Sequence, residues 1–183
     1  QKWEASCFFN PDNLEKADDR YWNAEAFAIA MPPANVTADL HLGSAMFLTI
    51  EDMMIRYARM TGKKTLWLPG TDHAAIATQN VVERELWEKE KKTRHEVGRE
   101  VLLRQIDEFI QKTRGRIQIQ IRKMGSSCDW SRERYTLSPE LSLAVRTAFK
   151  KMYDAGLIYR GDRIVNWCPR CGTTLADDEV EYR

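Results

Sequence analysis

The sequence predicts an α/β fold: a Rossmann-like parallel sheet with crossover helices. Two observations carry this reading. The apolar run Phe27-Ala28-Ile29-Ala30-Met31 is followed by a polar Pro/Asn/Thr loop and then a long helical pattern, and the same order returns from Thr65-Leu66-Trp67-Leu68 onwards. Short, wholly apolar runs read as strands buried on both faces, and strands that alternate with helices read as parallel strands joined by crossovers. In such sheets ligands sit at the carboxyl ends of the strands. That places both polar loops, Pro33–Gly43 and Gly70–His73, at the candidate site.

Taken in order, residues 1–26 read as a strap, mixing Trp3, Phe8, Phe9, Tyr21 and Trp22 with the turn-like Asn10-Pro11-Asp12-Asn13. Residues 27–31 form the first strand. A helix follows over 43–61, with Met46, Ile50, Met53, Tyr57 and Met60 recurring at three- and four-residue steps and Thr61-Gly62 as its stop. Strand 65–68 ends at Pro69-Gly70, and helix resumes through Val81, Val82 and Leu86. Thr93-Arg94-His95-Glu96 is a capping box that opens a helix over roughly 94–113. From Arg114 to Met124 the pattern is ambiguous: Ile117, Ile119 and Ile121 alternate as in a strand, while their neighbours suit a helix. Ser138-Pro139 starts a further helix, Ser as cap and Pro at the first position, which stops at Gly156. Ile158–Arg160 and Arg163–Trp167 read as two tightly joined strands.

Hydrophobic content of 43% and charged content of 30% fit a globular chain, and no apolar stretch approaches the roughly 20 residues that span a bilayer. The opening residues lack the basic and apolar regions of a secretory signal. With four cysteines in 183 residues, a disulfide framework is not expected and a reducing compartment is. The expected setting is cytoplasmic, with an organellar matrix as the other option, and no membrane partner. A net charge of +1 gives no overall field to attract nucleic acid. Positive charge gathers locally at Arg114, Arg116, Arg122, Lys123, Arg132, Arg134, Arg160, Arg163 and Arg170. Two readings stand: a solvated surface balanced by acids, or a face that tracks RNA phosphates.

The run from Pro32 to Ala45 carries most of the functional signal. Helix N-termini leave backbone N–H groups unpaired and favour anions, and a glycine there admits a close neighbour. His41 and Gly43 stand at such a start. A histidine in this position also occurs as an ordinary turn or core residue.

The motifs together resemble one family. Pro32-Pro33-Ala34-Asn35-Val36-Thr37 through His41-Leu42-Gly43 resembles the first signature of the class I aminoacyl-tRNA synthetases in its valyl form, usually Pro-Pro-Pro-Asn-Val-Thr-Gly followed by His-x-Gly-His. Gly70-Thr71-Asp72-His73-Ala74, Cys128-Asp129-Trp130-Ser131-Arg132-Glu133-Arg134 and Val165-Asn166-Trp167-Cys168-Pro169-Arg170-Cys171 are similar to its later motifs and keep their order. The likeness covers nearly the whole chain. It implies the first half of the catalytic domain, over 27–157, with 158–183 as a strand pair and half-knuckle leading towards an editing domain. It also implies ATP-dependent activation of valine to valyl-adenylate, with Mg²⁺ accompanying ATP, and transfer of valine to tRNA. The remainder of a split synthetase is a further implied partner.

By the same likeness, His41 and Ser44 are the catalytic positions, and His41, Gly43 and Ser44 meet ATP. Pro33, Asn35 and Asp72 line the amino-acid pocket, the Asp72 carboxylate holding the valine ammonium. Departures cluster there: Ser44 replaces the second His, Ala34 the third Pro, and Ala38 and Ala75 two glycines. Ser44 is shorter than imidazole and carries no positive charge, so weakened activity is expected. Ala38 and Ala75 add methyls where positive φ or close approach is expected. Cys168 and Cys171 offer two metal ligands, and Zn²⁺ needs four, so the others would come from outside this chain. Two functions therefore compete: part of a valine–tRNA ligase, and a non-catalytic synthetase-like binding or structural subunit of an RNA–protein assembly.

Overall fold

The computed structural model describes residues 2–13, 23–177 and 180. Their elements in order are α1 (Lys2–Ala5), β1 (Ala26–Ala30), β2 (Ala34–Asn35), α2 (Leu42–Met60), β3 (Lys64–Leu68), β4 (Gly70–Asp72), α3 (Ala75–Glu90), α4 (Arg94–Val97), α5 (Arg99–Lys123), a 3₁₀ turn (Trp130–Arg132), β5 (Arg134–Tyr135), α6 (Pro139–Asp154), β6 (Asn166–Cys168) and β7 (Thr173–Leu175). The chain forms two compact units, residues 1–142 and 143–183. Tyr21 and Trp22 of the expected strap lie outside the described residues.

In the first unit β1 pairs in parallel with β3, Ala28 opposite Leu66 and Ile29 opposite Trp67. The ladder continues past a break: the Met31 amide donates to the Leu68 carbonyl, and β2 then pairs in parallel with β4. On the other side of β4 lies β5, also parallel. Backbone bonds from Asp129 to Trp67, from Arg134 to Pro69 and from Thr136 to Thr71 fasten that third strand along the second. The strand order is sequential, the arrangement of one half of a doubly wound sheet.

The second strand does not end at Pro69-Gly70. It resumes as β4, so Asp72 stands on a strand and not in a loop. Gly70 eases the close approach of β5 there: a Cβ would lie 3.3 Å from the Arg134 carbonyl oxygen, a tight contact with backbone.

Trp67, fully buried, centres the core with Met31, Val36, Leu48, Ile55, Ile110, Ile117, Ile121 and Cys128. In α2 the buried positions are Ser44, Leu48, Ile55 and Ala58. The Met46–Met60 stripe expected to face the core is instead exposed, from 43% at Ile50 to 86% at Met60. This helix has two apolar faces, and the smaller side chains occupy the one against the sheet.

The ambiguous segment 114–124 is helical to Lys123, as the end of the 25-residue α5. Ile117 and Ile121 fall one turn apart and are buried, whereas Ile119 between them is exposed. The Thr93/Glu96 capping box forms as expected, but its helix α4 stops at Gly98 before α5 begins. A polar clamp ties the turn after α5 to α2. Asp52 Oδ1 accepts from both the amide and hydroxyl of Ser127, at 2.9 and 2.6 Å, and Arg59 donates to the Ser127 hydroxyl and carbonyl.

Four arginines of the locally basic run are paired with carboxylates. Arg114 meets Glu133, Arg116 meets Asp39 and Arg122 meets Glu4, while Arg132 meets both Asp12 and Asp129. At these four positions the charge is balanced locally, as on an ordinary solvated surface.

The second unit comprises most of α6 and the antiparallel hairpin β6–β7, Trp167 opposite Thr174. The two strands expected within 158–167 are displaced: residues 158–165 are irregular, and the hairpin turns at Pro169–Gly172. Among the described residues no helix is long and apolar enough to cross a membrane.

Candidate active site

The paired strands bring together the residues expected to line the amino-acid pocket. Asn35 and Asp72 are register partners in the β2–β4 ladder, and the Val36 amide donates to the Asp72 carbonyl at 2.9 Å. Pro33 lies against Gly70, two residues before Asn35 and Asp72 along the same two chain segments. Pro33 and Asn35 therefore share one patch with Asp72, far from both in sequence, at the carboxyl ends of adjacent parallel strands.

The first turn leads from β2 into α2, where His41 is the N-cap. Its Nδ1 accepts a hydrogen bond from the Ser44 amide at 3.2 Å. A neutral imidazole that accepts at Nδ1 carries its proton on Nε2, so the outer nitrogen is a donor. Gly43 is needed by this cap: a Cβ would lie 2.9 Å from His41 Cε1. Ser44 is buried in the first turn of the helix.

The second turn leads from β4 into α3. Ala74 is the N-cap and provides no side-chain bond, so Asp72 is not consumed as a cap. Its Oδ1 instead accepts from the Thr136 hydroxyl at 2.8 Å. Thr136 also accepts from the His73 amide at 2.9 Å and lies 2.6 Å from His73 Nδ1. Tyr135 stacks edge-on against the His73 ring at 6.4 Å, and Arg114 lies over the Tyr135 ring. Burial raises the Tyr135 phenol above its ordinary pKa, with Arg114 pulling the other way.

Thr136 was not visible as a site residue in the sequence. It comes from β5's end, 64 positions from Asp72, and no local pattern marks it. Of the two alanines at family glycine positions, Ala75 has φ +31°, with Ala74 at +50°, whereas Ala38 has no positive φ. Of the two alternatives, positive φ is found at Ala75 and not at Ala38, where close approach of a ligand is the alternative that stands.

In the second unit the Cys171 amide donates to Cys168 Sγ at 3.4 Å across the hairpin turn. That bond, with the Cys171 side chain, lowers the Cys168 pKa and favours the thiolate that a metal requires. Among the described residues no three His, Cys, Asp or Glu side chains group to hold a metal. The pair fits half of a tetrahedral zinc set and no more.

A sequence profile of the family described as tRNA synthetases class I (I, L, M and V) matches residues 1–183. The chain belongs to this family. Among class I relatives, valine–tRNA ligase of Desulfotalea psychrophila is 54% identical over 158 residues, covering 86% of this chain and 18% of that protein. Valine–tRNA ligase of Thermotoga maritima is 47% identical, covering 98% of the chain and 22% of the relative, and that of Dehalococcoides mccartyi is 49% identical, covering 100% and 20%. The chain thus spans about one fifth of the length of these relatives. A solved class I structure, the LeuRS of Agrobacterium radiobacter in a ternary complex with tRNA and LeuAMS, superposes with a TM-score of 0.68. It covers 97% of the chain and 21% of its own at 21% identity, and shares the fold.

Proposed function

We propose that this chain supplies the first half of the valine-activating site of a valine–tRNA ligase. The observation that carries it is the β2–β4 pairing, which sets Pro33, Asn35 and Asp72 side by side while His41 caps the helix after the preceding strand. In the reaction, a valine carboxylate oxygen attacks the α-phosphorus of ATP, the bond to the β-phosphate breaks, and pyrophosphate leaves; Mg²⁺ bound with the ATP would offset phosphate charge. The adenylate then passes valine to the tRNA 3′ end. No protein nucleophile takes part, so the work is positioning and stabilising phosphate charge.

Asp72 holds the valine ammonium through a charge-assisted hydrogen bond. Pro33 and Asn35 wall the amino-acid pocket. His41 donates from Nε2 to a phosphate oxygen at the α2 N-terminus, in the proton arrangement that the Ser44 amide enforces. Gly43 keeps the turn bare. Ser44 stands where the family signature carries a second imidazole, and loss of one such donor typically lowers the rate by about 10²–10³. This site is accordingly weakened.

Isothermal titration with ATP and with a non-hydrolysable valyl-adenylate analogue tests the reading. Saturable heat with the analogue supports it, and no heat with either ligand refutes it. Ser44→His is expected to raise ATP–pyrophosphate exchange when the rest of the catalytic domain is supplied.

A further inference from the structure

We infer that Thr136 is the positioning residue of the ammonium pocket, fixing both the Asp72 carboxylate and the proton arrangement of His73. The inference rests on the valine-binding reading of Asp72. Hydrogen counting carries it. An ionised carboxylate only accepts, so the one hydroxyl proton of Thr136 goes to Asp72 Oδ1, at 2.8 Å. The His73 amide donates into the same oxygen at 2.9 Å. His73 Nδ1, 2.6 Å from that oxygen, then finds no proton left to accept and must itself donate. His73 is therefore the Nδ1–H tautomer, opposite to the arrangement assigned to His41.

One hydroxyl thus receives two donors from residue 73 and passes its proton to residue 72. The Thr78 hydroxyl locks the same turn by donating to the His73 carbonyl at 2.7 Å. The consequence is a carboxylate held by Oδ1 alone. Among the described residues Oδ2 has no hydrogen-bond partner, and the side chain is 31% exposed, so one oxygen is tethered and the other is free for a ligand cation. A tethered carboxylate need not be ordered when the ammonium binds, which favours affinity without any contact from Thr136 to the ligand.

The test measures binding of two sulfamoyl-adenylate analogues, one valyl and one 3-methylbutanoyl, the second lacking the ammonium. Wild type, Asp72→Asn, Thr136→Val and Thr136→Ser are compared. Asp72→Asn is the yardstick for the pocket. Thr136→Val, which keeps the shape without the hydroxyl, is expected to weaken the valyl analogue by about tenfold, the scale of one hydrogen bond to a charged group. It should leave the other analogue unchanged, and Thr136→Ser should restore wild-type binding. If Asp72→Asn discriminates and Thr136→Val does not, the inference is overturned while the valine-binding reading stands. If Asp72→Asn does not discriminate, both fall. A second measurement needs neither ligand nor variant: ¹⁵N NMR of the imidazoles should show His73 protonated at Nδ1 and His41 at Nε2. A neutral His73 protonated at Nε2 overturns the inference whatever the binding data show.

Discussion

Replacing Ala75 by glycine should stabilise the protein, and replacing Ala38 should not, although both positions carry glycine in the family signature. Ala75 has φ +31° and follows Ala74 at +50°. An L-residue in left-handed backbone costs about 1–2 kcal/mol, whereas glycine there loses about 0.5–1 kcal/mol more entropy on folding than alanine. The difference leaves Ala75→Gly more stable by about 0.5–1 kcal/mol. In a folded body of residues 1–142, that corresponds to a Tm increase of roughly 2–4 °C. Ala38 has no positive φ, so Ala38→Gly incurs the entropic loss alone and should lower stability by about 0.4–1 kcal/mol. Urea unfolding followed by tryptophan fluorescence reads both variants. Equal and same-signed effects at the two positions would refute the reasoning, as would a destabilised Ala75→Gly.

Thr65 is fully buried and its hydroxyl has no hydrogen-bond partner among the described residues, so Thr65→Val should stabilise by about 1 kcal/mol; an unchanged or lower urea midpoint contradicts this. Burial raises the Glu51 carboxyl above its ordinary pKa, partly offset by the Trp67 indole hydrogen bond at 2.9 Å. The folded state then binds the proton more tightly, so stability is fullest below the ordinary carboxyl value and falls as pH rises through the folded-state value. Glu51→Gln keeps an acceptor for the indole without the charge, and its Tm should decline less over that window; parallel Tm–pH profiles would count against the assignment. Burial pushes the Cys128 thiol up to about 12, so alkylation at neutral pH should spare it until the chain unfolds. Cys168, with its lowered pKa, should be alkylated at lower pH than a thiol in a short peptide, and mass spectrometry of the labelled peptides reads both.

Features written in local sequence were the legible ones. The apolar runs at 27–31 and 65–68 became adjacent parallel strands, because a strand buried on both faces has few other compositions. The Thr93/Glu96 box and the Ser138 cap formed because their partners lie three residues away. Elsewhere packing chose between patterns. Ile117-Gln118-Ile119-Gln120-Ile121 satisfies a period of two, but only Ile117 and Ile121 reach the core of the helix it forms. In α2 the large methionine stripe was the conspicuous face, yet Leu48 and Ile55 meet the sheet. At the candidate site, family likeness singled out Pro33, Asn35, His41 and Asp72, and the structure brings Pro33 and Asn35 beside Asp72. Thr136 was not, because its role depends on a third strand laid beside the second. The continuation of the strand through Gly70–Asp72 was hidden by the Pro-Gly pair, which reads as a turn.

A crystal structure with the non-hydrolysable valyl-adenylate analogue is the most direct measurement of the whole account. It should show the ligand ammonium within hydrogen-bonding distance of Asp72 Oδ2 and the phosphate-mimicking group at His41 Nε2. A ligand bound elsewhere, or one that reaches only one of these two side chains, would contradict it.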